Sequence, residues 1–227
     1  MLATTLFSYK LKAQGSYRSG LLPAINLNRP LSGNRELNFK WESRQLFAQG
    51  QQGEAPAYQF RYVLSDFSLL LSQKLGFGAK LAGGYLLRLE DTGPVHRAIQ
   101  QFTVVRRPGS FRLAHRFAAD QTFAAEEQTE FRLRYRIVVE LPLNGQSVDA
   151  REWYLKIGNE YLGGWQGNSQ DLEIRLVPVA GYNVNYSSKL EFGLDYRLGS
   201  LFTGSHNHTL WTGITWYKKL KGHKRQQ

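Results

Sequence analysis

FRLAHRFAADQTFAAEEQTEFRLRYRIVVEL, residues Phe111–Leu141, reads as two β-strands joined by a short acidic, Gln-rich turn. In the second strand Phe131, Leu133, Tyr135, Ile137, Val139 and Leu141 alternate with Arg132, Arg134, Arg136, Val138 and Glu140. Side chains on a strand point to opposite faces with period two, so one face is apolar and the other carries three arginines. The first strand repeats the pattern: Phe111, Leu113, His115 and Phe117 oppose Arg112, Ala114, Arg116, Ala118 and Asp120. A soluble sandwich or barrel turns such an apolar face into its core and its charges to water. An outer-membrane barrel does the reverse, with the apolar face in lipid and the charges lining a polar interior.

The same alternation recurs along the chain. Strands are expected over Leu21–Leu31, Arg35–Phe47, Tyr58–Leu75, Ala79–Leu89, His96–Arg106, Glu152–Leu162, Asp171–Tyr182, Ser187–Leu198 and Thr209–Tyr217, besides the two above. Within Tyr58–Leu75 the apolar set changes parity. Tyr58, Phe60, Tyr62 and Leu64 fall on one face, Phe67, Leu69 and Leu71 on the other, which predicts a bulge or a break at Ser65-Asp66. No helix is predicted, and the regular strand spacing with turn signals between is that of an all-β barrel or sandwich. The expected architecture is a single antiparallel, up-and-down transmembrane barrel of about twelve strands, with ten as the alternative. Leu6–Ala13 is the candidate twelfth strand.

Connections near Gly33, Gly76, Pro108, Gly145 and Tyr186 read as short. Those at 48–57, 90–95, 163–170 and 199–208 read as longer, with the one at 124–127 as the exception. The asymmetry matches short periplasmic turns and longer external loops, with both chain ends on the periplasmic side. Residues 1–14 read either as the remnant of an export signal or as a first strand. Residues 15–220 are the barrel, and 221–227 a basic, disordered tail.

Bulk properties fit this reading. The 227 residues carry 29 Lys+Arg against 18 Asp+Glu, a net charge of +11, which suits anionic partners such as lipid headgroups. Cysteine is absent, which rules out disulfides and thiolate chemistry. No apolar run reaches the roughly 18 residues of a spanning helix. Barrel strands need only every second residue apolar, in keeping with a mean hydropathy of −0.42. Trp41, Tyr85, Trp153, Tyr161, Tyr182, Tyr196 and Trp216 would suit interfacial girdles.

Inward-facing charges are the main site candidates. Arg112, Arg116, Arg132, Arg134, Arg136, Glu140, Lys156, Glu160, Glu173, Arg175 and Arg197 form an expected lumen ladder, structural or anion-binding. Lys40, Glu42, Arg44, Arg88, Asp120, Lys189, Glu191 and Asp195 share the same parity. Neighbouring strands about 4.8 Å apart allow such residues to interlock as ion pairs. Arg132, Arg134 and Arg136 could equally line an anion-selective constriction.

Other motifs carry less. His206-Asn207-His208 lacks a third ligand at metal-binding spacing. His115, Ser110 and Asp120 hint at a hydrolytic triad, but no G-x-S-x-G elbow accompanies them. The glycine-rich segments lack the strand–loop–helix context of a phosphate loop. The tail KKLKGHKRQQ has no aromatic interleaving and reads as a solvated segment near anionic lipid or a partner, not as a nucleic-acid site. No catalytic residue, cofactor or metal is expected.

Gly83-Gly84-Tyr85-Leu86-Leu87-Arg88, Arg112…His115-Arg116-Phe117, Arg132-Leu133-Arg134-Tyr135-Arg136 and then Trp153-Tyr154-Leu155…Asn159-Glu160 occur in this order. The order resembles domain-of-unknown-function family 2490, bacterial outer-membrane-like β-barrels, over about Leu21–Leu220. Where that family has an "h-R-x-x-x-e-q-R" strand, this chain reads HRFAADQTF, with Ala119 and Asp120 near the usual acid and Phe123 at the usual Arg. The resemblance implies export and a barrel, with no established activity. The expected function is therefore an outer-membrane barrel with a charged, basic, occluded lumen, acting as a structural or accessory subunit. Its expected partners are outer-membrane lipid, lipopolysaccharide and other outer-membrane subunits. A narrow anion-preferring pore, a soluble ligand-binding barrel and an outer-membrane lipid hydrolase are the alternatives.

Overall fold

Period-two alternation carries almost the whole chain into strands. The computed structural model describes residues 15–202 and 204–222. Its strands are β1 (Ser16–Pro30), β2 (Arg35–Gln51), β3 (Ala57–Gly76), β4 (Ala79–Glu90), β5 (Gly93–Arg106), β6 (Arg112–Phe123), β7 (Glu130–Pro142), β8 (Glu152–Gln166), β9 (Ser169–Asn185), β10 (Ser188–Gly199) and β11 (Asn207–Lys219). Each pairs antiparallel with its sequence neighbours, and β1 pairs with β11 to close the barrel. Full closure leaves the wall without a free edge along its common height.

The described strands number eleven, not twelve or ten. An up-and-down sheet with an odd count can close only if its first and last strands run the same way. The β1·β11 seam is accordingly parallel, in register from Ser16↔Asn207 to Asn28↔Lys219. The described chain thus enters at one rim and leaves at the other, which replaces the expectation of both ends on one side. Leu6–Ala13 lies outside the described residues.

The expected loop asymmetry is also absent. At the entry rim, where β1 begins, two-residue turns at 91–92 and 167–168 stand beside longer connections at 52–56, 124–129 and 200–206. At the far rim a long connection at 143–151 accompanies tight turns at 77–78 and 186–187. The difference arises because β5 starts at Gly93 and β8 runs through Gly163-Gly164 to Gln166. A Cβ on Gly163 would lie 3.0 Å from the Trp165 ring, so the glycine makes room for that ring to fold back over the strand. The β1–β2 turn behaves as its sequence suggests: Gly33 (φ 68°) and Asn34 (φ 61°) take consecutive left-handed conformations, as in a type I′ hairpin.

The parity change in β3 is a bulge within one continuous strand, and it lies earlier than Ser65-Asp66. Arg44 pairs with Leu64 but Gln45 with Tyr62, leaving Val63 as the extra residue. Leu64 is therefore buried inside, while Tyr58, Phe60 and Tyr62 join Phe67, Leu69 and Leu71 outside. Because β4 begins pairing only at Leu64↔Glu90, residues 57–63 of β3 overhang the entry rim. They pair with β2 on one side and with no described strand on the other.

The faces are now assigned. Phe131, Leu133, Leu155, Ile157, Phe192, Leu194, Ile214 and Trp216 point outward and are exposed. Asp120, Glu160, Glu191, Arg97 and Arg197 point inward and are buried. An apolar calyx, the interior expected of a soluble ligand-binding barrel, is not what the strands enclose.

Candidate functional site

The lumen is a network of ion pairs organised on a few buried carboxylates. Asp120, 1 % exposed on β6, accepts from Arg134 Nη2 at 3.0 Å and from Arg132 Nη2 at 3.3 Å. Both arginines sit on β7, and β6·β7 register places Asp120 directly opposite Arg132. Glu160 on β8 accepts from Arg116 Nη2 at 2.9 Å. Arg175, Arg134 and Arg136 stand at 3.6, 3.7 and 3.9 Å from it. Glu160 Oε1 has no hydrogen bond, so those longer approaches are charge contacts only. The cause is a cross-strand row in which Arg116, Arg136, Glu160, Arg175 and Arg197 are successive partners on β6 to β10. One carboxylate there faces four guanidinium groups.

A third hub is Glu191 on β10. The Tyr154 hydroxyl donates to it at 2.7 Å and Lys189 Nζ at 3.1 Å, and Lys156 is its second cationic partner. Tyr154 reaches across β9 because Gly181 lies in its path; a Cβ on Gly181 would come within 2.1 Å of the Tyr154 ring. On the other side of the lumen Arg88 grips Asp66 with two hydrogen bonds of 2.8 and 2.9 Å. Such bidentate, charge-assisted geometry is the strong form of a carboxylate–guanidinium contact. Lys40 and Arg44 hold Glu42, and Arg197 holds Asp195 at 2.6 Å.

All eleven ladder residues expected from sequence line or flank this interior, each with an opposite charge within reach. Arg112 meets Glu140 at 3.6 Å, far from the central hubs. Arg175 also pairs with Glu173. What the expected ladder omitted is Asp120 and Glu191 as shared acceptors, Tyr154 as a donor, and Arg97. Asp120 and Glu191 had the right parity; their sharing is a property of neighbouring strands. Arg97 lies in β5, whose alternation is weak.

Between these side chains is a cavity of about 440 Å³. Its cationic lining is Lys40, Arg44, Arg88, Arg97, Arg116, Arg132, Arg134, Arg136, Lys156, Arg175 and Arg197; its carboxylates are Glu42, Asp66, Glu160, Glu173, Glu191 and Asp195. The lining is thus strongly cationic, and the Nε atoms of Arg44, Arg116, Arg132 and Arg136 are buried without a hydrogen-bond acceptor among the described residues. Chemically, the arrangement can hold the wall together and can attract anions.

The weaker motifs do not assemble. His115 faces outward, its Nδ1 2.9 Å from the Tyr135 hydroxyl, while Asp120 lies on the opposite face of β6 and Ser110 in the far-rim connection. Equivalent outward pairs join His208 to Tyr196 at 2.8 Å and His96 to Tyr85. His206 belongs to the 200–206 connection, where its carbonyl accepts from Ser16 N. Among the described residues no group of three His, Cys, Asp or Glu is arranged to hold a metal ion.

No curated protein and no solved structure matches this chain. One family model does, over residues 24–209, which takes in the second half of β1, all of β2 to β10 and the first residues of β11. The chain accordingly belongs to DUF2490, a family described as proteins of unknown function.

Proposed function

We propose that this chain is an integral β-barrel of a bacterial outer membrane, with an ion-paired, occluded lumen, and that it serves as a structural or accessory subunit of a membrane assembly. The observation that carries the reading is the inverted distribution of side chains: Leu, Phe, Ile and Trp outside, Arg and carboxylates inside. An apolar belt of this extent is far larger than the patches soluble monomers expose. Exposed arginines of the outer surface, Arg29 and Arg106, lie at strand ends, where a headgroup layer would receive them. A Lys or Arg at the bilayer midplane would cost roughly 2–4 kcal/mol. In each of the three outward Tyr–His pairs the hydroxyl and the ring Nδ1 satisfy each other, which lowers the cost of facing an apolar solvent.

The subunit role draws support from the overhang of β3. Tyr58, Phe60 and Tyr62 are exposed there beside an unpaired strand edge. Main-chain donors and acceptors along such an edge are a template for another outer-membrane chain.

The test is fractionation of cells making the full chain. Sedimentation with membranes, resistance to carbonate and heat-modifiable migration in detergent gels are expected; recovery in the soluble fraction without detergent would end the membrane reading. The cation excess of the lumen favours a second reading, a narrow anion-preferring pore. Planar-bilayer recordings separate the two: a sealed barrel passes no steps, whereas a pore gives anion-selective steps that Arg134→Glu reduces.

A further inference from the structure

At the entry rim a second cavity, of about 670 Å³, opens beneath the 124–129 connection. Arg88, Arg97 and Arg132 line both this vestibule and the luminal cavity, and so form the partition between them. Two of the three are neutralised. Arg88 is bound bidentately by Asp66. Arg132 meets Asp120 at 3.3 Å and Glu130 at 3.7 Å. Arg97 differs. It is 6 % exposed, its Nε–H donates to Thr122 Oγ1 at 3.0 Å, and among the described residues no carboxylate lies within 4.0 Å of it.

A buried guanidinium without a counter-charge is unfavourable unless something anionic reaches it. The nearby carboxylates are committed: Asp66 to Arg88, and Asp120 to Arg132 and Arg134. The vestibule carries Glu90, Glu127 and Glu130 around its three arginines and is balanced, whereas the luminal side is cationic. An anion is therefore held at the partition and on its inner side, not at the outer mouth. The planar fork of Arg97, with two further guanidinium groups beside it, matches an anion presenting several oxygens better than it matches chloride.

We propose that Arg97, flanked by Arg88 and Arg132 and oriented by Thr122, is the anchor of a binding site for a tetrahedral oxyanion of the phosphate class. The site belongs to the barrel interior and does not depend on what solvent surrounds the outer wall. The phosphate is either free or the headgroup of a lipid whose chains stay outside the vestibule.

The experiment is calorimetric titration of the full chain, folded in alkyl maltoside micelles, with inorganic phosphate. Saturable binding is expected, weakened at least about tenfold by Arg97→Gln, the loss of one charge-assisted contact. Arg97→Lys, which keeps the charge but loses the fork, should fall between. Phosphorus NMR of inorganic phosphate with the unaltered chain gives a readout that needs no variant: line broadening relieved by excess sulfate supports the site. Competition with short-chain phosphatidic acid identifies the source. Displacement of bound phosphate by the lipid points to a headgroup, and failure to displace points to the free anion. Absence of saturable binding and of line broadening overturns the proposal. So does binding that Arg97→Gln leaves unchanged in a chain that still migrates as a folded barrel.

Discussion

The two sides of the lumen are held in different ways. Across β6 to β10 the interior is polar, and Asp120, Glu160 and Glu191 each hold two or more cations, most of them from other strands. Under the β1·β11 seam it is apolar: Leu22, Leu46 and Trp211 form a small buried cluster with Val63 packed against it. A bulge at Ser19/Gly20 brings β2 unusually close there; a Cβ on Gly20 would stand 2.0 Å from the Gln45 carbonyl oxygen and 2.6 Å from the Trp211 ring. The ionic side depends on complementary charge and the seam on shape. The difference lies in the residues: Leu22, Ala24, Trp211, Gly213 and Thr215, which β1 and β11 turn inward, are uncharged, so packing takes the place of ion pairs there.

The sharpest way to break this contrast is to remove a shared carboxylate. Asp120→Asn leaves Arg132 and Arg134 facing each other without their common counter-ion. Breaking a buried ion pair from one side costs roughly 3–5 kcal/mol. The urea midpoint of the detergent-folded barrel should fall accordingly, and adding Arg134→Gln should restore part of the loss. A single variant as stable as the unaltered chain would mean that the network contributes little.

On the seam side, Leu46→Ala should cost roughly 2–5 kcal/mol by transfer and cavity terms. Its effect should be the same at low and high salt, since no charge is involved. A strong salt dependence in the same urea titration would show that the two sides are coupled.

The smallest effect distinguishes charge from packing inside the ionic side itself. Tyr154→Phe keeps the ring seated over Gly181 and deletes only the hydrogen bond to Glu191. A hydrogen bond to a charged group is worth about 1.5–3 kcal/mol, and the lower end applies because Lys156 and Lys189 still hold Glu191. A urea midpoint indistinguishable from the unaltered chain would make Tyr154 a packing residue alone.

Much of this was legible in the sequence wherever the signal is local. The alternation of Arg132, Arg134 and Arg136 with Phe131, Leu133 and Tyr135 carries over to the two faces of β7, because the pleat is a property of consecutive residues. Strand number and closure are not local. Period two says nothing about which strand lies beside which, so the parallel seam had no signature in β1 or β11. Glycine misled at Gly163-Gly164, where turn propensity lost to a strand interior that Trp165 covers. Parity misled at Leu64, because a single extra residue at Val63 inverts every side chain before it. In the lumen, the sign of each charge could be read but its sharing could not: Asp120 serving two arginines and Arg97 served by none both follow from register.

The seam also sets an order of events. Every other ladder joins strands adjacent in sequence, whereas the seam joins Ser16 to Asn207, 191 positions apart. Contacts of that sequence separation are slow to form, although the entropy of closing a loop grows only with the logarithm of its length. The ten hairpin ladders can therefore zip outward from any turn, and the cylinder closes last. Until it does, the nascent sheet carries two complementary open edges, so the interval before closure is the time at which this chain is most exposed to pairing with the wrong partner.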